Sequence, residues 1–144
     1  MKKIITFSTL ILIIAFSSCN GTKKASKKTT AEMVSGKYEI RSVEGASNLY
    51  NMFFEIDTSE KRISGKTDCN TFSGNYEVTG DEVTFSPFIS TKMYCEEHVM
   101  NVEASIFKAF SNTKKFTFDN NMLTLINKDG SISMKAYKVI KEDK

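Results

Sequence analysis

The chain has 144 residues, a formal net charge of +3 and one histidine, which suits a single domain with its own core. One histidine leaves little choice of base for activating a nucleophile, and the sequence has no phosphate loop, zincin motif or nucleophile elbow. We therefore predict that the protein is not an enzyme, and we predict neither a cofactor nor a metal site.

The first 18 residues are predicted to be a lipoprotein signal peptide. Two lysines precede an apolar run over residues 4–16, which is shorter than the roughly 20 residues that span a bilayer. After that run, Ser18 is the small residue expected before a signal-peptidase cut, and Cys19 offers a thiol for a diacylglyceryl thioether. The sequence predicts lipidation of Cys19; an ordinary signal peptide cut near the same place is the alternative.

Residues 19–33 are polar and rich in lysine and threonine, which predicts a flexible tether. The leader and tether together hold six of the 20 basic residues, so the domain predicted over residues 34–144 has 14 basic and 16 acidic residues. That balance removes the electrostatic argument for nucleic-acid binding.

The expected partner is a membrane, reached through the lipid anchor, and the expected location is the bacterial outer membrane facing the periplasm.

The first half of the domain is predicted to be strands joined by turns. Apolar and polar residues alternate, as is typical of half-buried strands, and a tight corner with Cys69 pointing inward is predicted over 67–73. The turn at 79–81 contains glycine and predicts a hairpin. The predicted strands cover residues 36–43, 50–56, 61–65, 75–78 and 82–85.

One helix and three further strands complete the predicted domain. The helix is predicted over residues 95–111, because apolar residues recur at three- and four-residue steps. Asn120-Asn121 and Asp129-Gly130 are typical hairpin turns between strands predicted over 115–118, 122–126 and 132–139. Strands with a single helix predict an α+β fold, in which about eight antiparallel strands form a strongly curved sheet or incomplete barrel with the helix packed on it.

Cys69 and Cys95 form an even pair if Cys19 is lipidated, and an exported protein meets an oxidising compartment. A disulfide between them is therefore predicted, and it would close a loop of 27 residues. Two alternatives remain open. Both thiols could be buried and reduced, or they could bind a metal together with His98, although that set has only three ligands and no paired CxxC.

Two runs around these cysteines resemble the signature of the META/HslJ-like family of bacterial envelope proteins. The first is Asp68-Cys69-Asn70-Thr71-Phe72-Ser73-Gly74-Asn75-Tyr76, and the second is Thr91-Lys92-Met93-Tyr94-Cys95. Asp68 stands where the family often has glycine, and Tyr38 replaces a tryptophan common in the first strand. The resemblance implies the same α+β architecture. It also implies a non-enzymatic envelope lipoprotein that supports envelope integrity or stress and drug tolerance, since the family is associated with heat induction and novobiocin resistance.

A second hypothesis is a binding module. Loops held on a rigid scaffold often carry binding function, and four residues near the two cysteines are candidates for an exposed binding surface: Asn70, Phe72, Met93 and Tyr94. The competing interpretation assigns them to the corner and the core. The fold is also similar to that of pilotin lipoproteins, which implies a partner such as an envelope protein tail or a hydrophobic ligand. The residues that would line such a groove, or fill a core instead, are Phe53, Phe54, Phe85, Phe88 and Phe107.

Overall fold

The computed structural model describes residues 31–47, 49 and 52–140. The predicted signal peptide, Cys19 and most of the predicted tether lie outside the described residues. Within them are nine strands and one helix: β1 Gly36–Val43, β2 Phe53–Asp57, β3 Arg62–Lys66, β4 Thr71–Thr79, β5 Glu82–Phe85, β6 Ile89–Ser90, α1 Glu97–Asn112, β7 Thr113–Asp119, β8 Met122–Asn127 and β9 Ile132–Lys138.

Eight of these strands close into an antiparallel barrel in the order β3-β2-β1-β9-β8-β7-β5-β4, with β4 pairing back to β3. The predicted α+β class and the count of about eight strands are confirmed, and the barrel is closed rather than incomplete. The two asparagines of the β7–β8 turn have φ of 49° and 61°, as that hairpin predicted. The corner is shorter than predicted, because Thr71 to Ser73 already belong to β4.

Among the neighbouring strands of the barrel, β5 and β7 have the fewest paired residues. Glu82 and Lys115 are the paired residues there, and the backbone N–H of Phe116 donates to the carbonyl of Asp81 at 3.0 Å. Beyond Phe85 the chain leaves β7 but stays beside β4, where the short β6 forms. The helix occupies the space that this divergence leaves.

The alternation in the β9 sequence is less regular than in the other strands, and it predicts that Ile132 and Met134 share a face opposite Ser133. That prediction is wrong at the start of the strand, because Ile132 is exposed while Ser133 and Met134 are both buried. The pairing of β8 with β9 shifts register between Leu125 and Ile126. Such a bulge inserts an extra residue and changes which side chains face inward.

Helix α1 packs across one end of the barrel, which we call the helix end. Its predicted apolar stripe is largely confirmed: Val102, Ile106 and Phe110 are buried, whereas Val99 and Phe107 are partly buried. Phe110 is the centre of an aromatic cluster, with its ring centroid 5.0–5.4 Å from the rings of Phe54, Phe85 and Phe88. Those aromatic contacts explain why the interior at this end is filled by side chains.

The opposite end of the barrel, which we call the tether end, is where the chain arrives from its N-terminal region. Met33 is buried in the core, so packed structure begins before the predicted boundary at Val34. The Tyr38 hydroxyl donates to the carbonyl of Val34 at 2.6 Å. Burial raises the pKa of Tyr38 to about 12, so the hydroxyl keeps its proton for this bond.

Phe53 and Phe54 do not share a groove, because successive residues of a strand point to opposite faces. Phe54 is fully buried and stacks on Tyr38 with ring centroids 5.4 Å apart. Phe53 lies outside the barrel, with the Lys37 ammonium 3.6 Å from its ring centroid. Tyr38 therefore packs inside the barrel, at the position where the resemblance implies a tryptophan.

Candidate functional site

The corner that follows β3 is held by the hydroxyl of Thr67. This hydroxyl oxygen accepts the backbone N–H groups of Cys69 at 3.2 Å and of Asn70 at 2.8 Å, and the Thr67 N–H donates to the Asn70 carbonyl at 2.8 Å. Threonine side chains stabilise tight turns in this way. The corner therefore presents Cys69 and Asn70 in fixed positions. Asp68 has no positive φ, so the glycine usual there is not needed.

A disulfide joins Cys69 to Cys95, as predicted, with 6.1 Å between their Cα atoms. It ties the corner to the segment that leads into α1. Sulfur atoms in a disulfide are not thiolate ligands, and no group of three His, Cys, Asp or Glu side chains suited to a metal occurs among the described residues. His98 lies on the surface, with Nδ1 3.3 Å from the Glu96 carboxylate.

Asn70 connects the corner, the loop and the helix. Its Oδ1 accepts the Thr91 hydroxyl at 2.7 Å and the Met93 backbone N–H at 2.8 Å, while Nδ2 donates to Glu103 Oε1 at 2.9 Å. The side chain is 1% exposed. The candidate place of Asn70 on an exposed surface is therefore wrong, and the competing interpretation of Asn70 as a corner residue holds, because its polar atoms are used inside the fold.

Glu103 was missed by sequence reasoning. It lies on the buried face of α1, and its second carboxyl oxygen accepts the Thr67 hydroxyl at 2.5 Å. Both oxygens thus have donors, as a buried carboxyl group requires. A signal was present in the sequence, since Glu103 follows Val99 by four residues and precedes Ile106 by three, which puts it on the apolar stripe.

Phe72 is also buried, at 4% exposed, so the competing interpretation as a core residue holds for it and the exposed surface is wrong. Its ring packs on Phe88 at 5.1 Å and on Phe107 at 5.4 Å between centroids. The space comes from two glycines: a Cβ at Gly65 would lie 2.6 Å from the Phe72 ring, and one at Gly74 would lie 2.5 Å from the Phe88 ring. The aromatic and glycine positions of the signature therefore serve packing.

Met93 and Tyr94 are exposed, in contrast to the two buried candidates. Tyr94 is 95% exposed, and Ile89 in β6 is exposed as well. We call Ile89, Met93 and Tyr94 the loop patch. The backbone between Ile89 and Tyr94 is held by pairing with β4, by Asn70 and by the disulfide. The loop patch therefore presents apolar side chains to solvent from a fixed backbone.

A small groove lies between the segment 85–88 and α1. It has a volume of about 220 Å³, and its apolar lining is shared between the strand side and the helix. We call it the seam groove, and its lining residues are Phe85, Ser86, Pro87, Phe88, Phe107 and Ser111. Three of the five phenylalanines proposed for a groove thus meet there, while Phe53 and Phe54 do not.

Comparison with known proteins adds a family and a set of related folds. The family model described as META domain matches residues 31–138. A protein from Burkholderia xenovorans solved by NMR shares 15% identity and a TM-score of 0.57, covering 74% of this chain and 83% of its own. A DUF4847 family protein from Bacteroides vulgatus shares 13% identity and a TM-score of 0.58, covering 80% of this chain and 98% of its own.

These structural similarities concern the fold alone. The search of curated proteins gave no match. Across the described residues, α1 is too short and too polar to cross a membrane, and no other helix is present to do so.

Proposed function

This chain belongs to the META domain family, and from this membership we propose that it is a lipid-anchored, non-enzymatic protein of the bacterial cell envelope. It supports envelope integrity or tolerance of stress and drugs, and it acts by binding a partner. Its expected place is the outer membrane, facing the periplasm. The lipid at Cys19 is its link to the membrane.

The observation that carries this proposal is how the signature residues are used. Cys69 forms the disulfide, Asn70 has hydrogen bonds on both amide atoms, and Phe72 and Tyr76 are core residues. The polar signature residues Cys69 and Asn70 thus stabilise the helix end of the barrel. A rigid scaffold that presents an apolar loop patch is suited to binding.

Lipidation of Cys19 gives the first expected result. Cys19→Ala should move the protein from the membrane fraction to the soluble fraction, or leave the precursor uncleaved, because the acyl chains supply the affinity for the bilayer. Fractionation and intact mass would measure this, with Ser17→Ala as the matched control that keeps the thiol. Normal processing and membrane recovery of Cys19→Ala would contradict the anchor.

The loop patch gives the second expected result. The double variant Met93→Ser/Tyr94→Ser should fail to restore stress or drug tolerance to a deletion strain, while its thermal midpoint stays unchanged because both side chains are exposed. Phe72→Ala is the control, since it should lower the free energy of unfolding by about 3–5 kcal/mol through loss of core packing. If complementation is lost only in variants that also lose stability, the loop patch has no binding role.

The seam groove supports an alternative function, that of a pilotin-like module for a protein tail or a small hydrophobic ligand. Its lining offers three phenylalanine rings at the surface. Ser111→Trp would fill the groove, and it belongs in the same complementation assay. Loss of tolerance in Ser111→Trp, with the loop-patch variant active, would favour this alternative.

A further inference from the structure

A second set of exposed apolar residues lies at the tether end, far from the disulfide. Tyr137, Val139 and Ile140 are 43%, 43% and 67% exposed. We call these three residues the rim patch. Tyr137 lies in β9, paired with Met122 of β8, and Val139 directly follows Lys138, the last residue of that strand.

The rim patch lies beside the point where the chain reaches the barrel from its N-terminal side. The Val139 N–H donates to the Lys37 carbonyl at 2.7 Å, and Lys138 is paired with Tyr38. The Tyr38 hydroxyl in turn bonds Val34. The first described residues and the last ones therefore meet at one end of the molecule.

Chain length keeps this end close to the proposed anchor. Ala31 follows Cys19 by 12 residues, and a chain of that length spans at most about 40 Å when fully extended. The tether end is the part of the barrel to which this stretch of chain connects. The loop patch, which the disulfide holds at the helix end, is farther along the molecule.

The chemistry of the rim patch suits a membrane surface. Tyrosine is enriched at membrane–water interfaces, where its ring is apolar and its hydroxyl is wet, and valine and isoleucine gain from leaving water. Lys138 adjoins the patch, and its stem lies across Gly36, where a Cβ would be 2.7 Å from Cε, whereas the Lys37 ammonium lies over the Phe53 ring. Lysine stems lie along apolar surface while the ammonium reaches polar headgroups. The nearby Glu39 carboxylate is already paired with Arg41 at 2.8 Å.

We propose that the rim patch rests in the headgroup layer of the membrane that holds the lipid anchor. This orientation directs the loop patch away from the bilayer. The inference rests on the proposed lipidation of Cys19. It adds a contact that the anchor alone does not require, since a flexible tether would leave the barrel free to rotate.

Tryptophan reporters can test this contact, because the natural chain has no tryptophan. The lipidated full chain would carry Tyr137→Trp or Ile140→Trp, with Tyr94→Trp as the matched reporter at the helix end. Each would be bound to vesicles of phosphatidylethanolamine and phosphatidylglycerol, with and without bromine on the acyl chains. We expect a blue shift and bromine quenching at positions 137 and 140, and unchanged emission at position 94.

A variant of the rim patch provides a second test of the membrane contact. Val139→Asp added to Ile140→Trp should abolish the quenching while the protein stays on the vesicles, because a carboxylate beside the reporter is repelled from the apolar layer. Equal quenching at both ends, or none at any position on vesicle-bound protein, would overturn the rim contact and leave the anchor intact. Protein that does not bind vesicles at all would overturn the anchor and this inference together.

Discussion

Asn70→Asp is expected to lower the free energy of unfolding by about 3–5 kcal/mol at neutral pH, the scale for leaving a buried charge uncompensated. The substitution keeps the shape of the side chain but replaces the Nδ2 donor with an oxygen. That oxygen would face Glu103 Oε1, which now accepts from Asn70 at 2.9 Å. Two carboxylates at this distance repel each other, and both positions are buried away from water.

A second substitution should reverse most of this loss. In Asn70→Asp/Glu103→Gln the donor and acceptor exchange places, since the glutamine amide introduced on α1 would donate to the new carboxylate. The carboxylate would still accept from Thr91 and Met93, as Asn70 does. Urea unfolding followed by circular dichroism would measure all variants, with Glu103→Gln alone completing the cycle. Simple addition of the two single losses in the double variant would show that the residues are not coupled.

Removal of the disulfide should also lower the stability of the domain strongly. Cys69→Ala/Cys95→Ala frees a loop of 27 residues, and the chain-entropy model predicts a loss of about 3–4 kcal/mol. Small domains have only about 5–15 kcal/mol of total stability, so the unfolding midpoint should fall clearly. The loss should also loosen the loop patch, because Met93 would then be held to the corner mainly by Asn70.

Two measurements check the disulfide in the protein as it occurs in the envelope. Alkylation without reduction should leave Cys69 and Cys95 unlabelled in the intact mass, and labelling should appear only after reduction and unfolding. Urea unfolding of the double alanine variant should then show the loss of stability. Complete labelling of both thiols in native protein, or an unchanged unfolding midpoint, would contradict the prediction.

Local patterns predicted most of the secondary structure. Alternation located the strands that became β1, β2 and β3 to within a few residues, and the helical stripe located α1. The pattern was wrong at the start of β9, because a bulge depends on the pairing of β8 with β9 and leaves no local mark in β9 itself. It was also wrong at Met33, which follows a polar stretch but is buried in the core.

The candidate site was also predicted only in part from the sequence. The spacing of Cys69 and Cys95 and their resemblance to a family signature indicated where the rigid end of the domain is. The motifs did not indicate which of their residues are exposed to solvent. Asn70 and Tyr94 both have polar groups that are common on protein surfaces, yet only Tyr94 is exposed. Asn70 is buried because Thr91, Met93 and Glu103 converge on it from three segments.

The type and approximate number of elements, the family and the cysteine pair could all be read from the amino-acid sequence, because periodicity, turn residues and motifs are properties of neighbouring positions. Only the tertiary structure shows three further features. They are the closure of the barrel, the burial of Glu103, and the separation of the loop patch from the rim patch. Those features depend on contacts between residues far apart in the sequence, as with Thr67 and Glu103, and burial is a property of the assembled molecule.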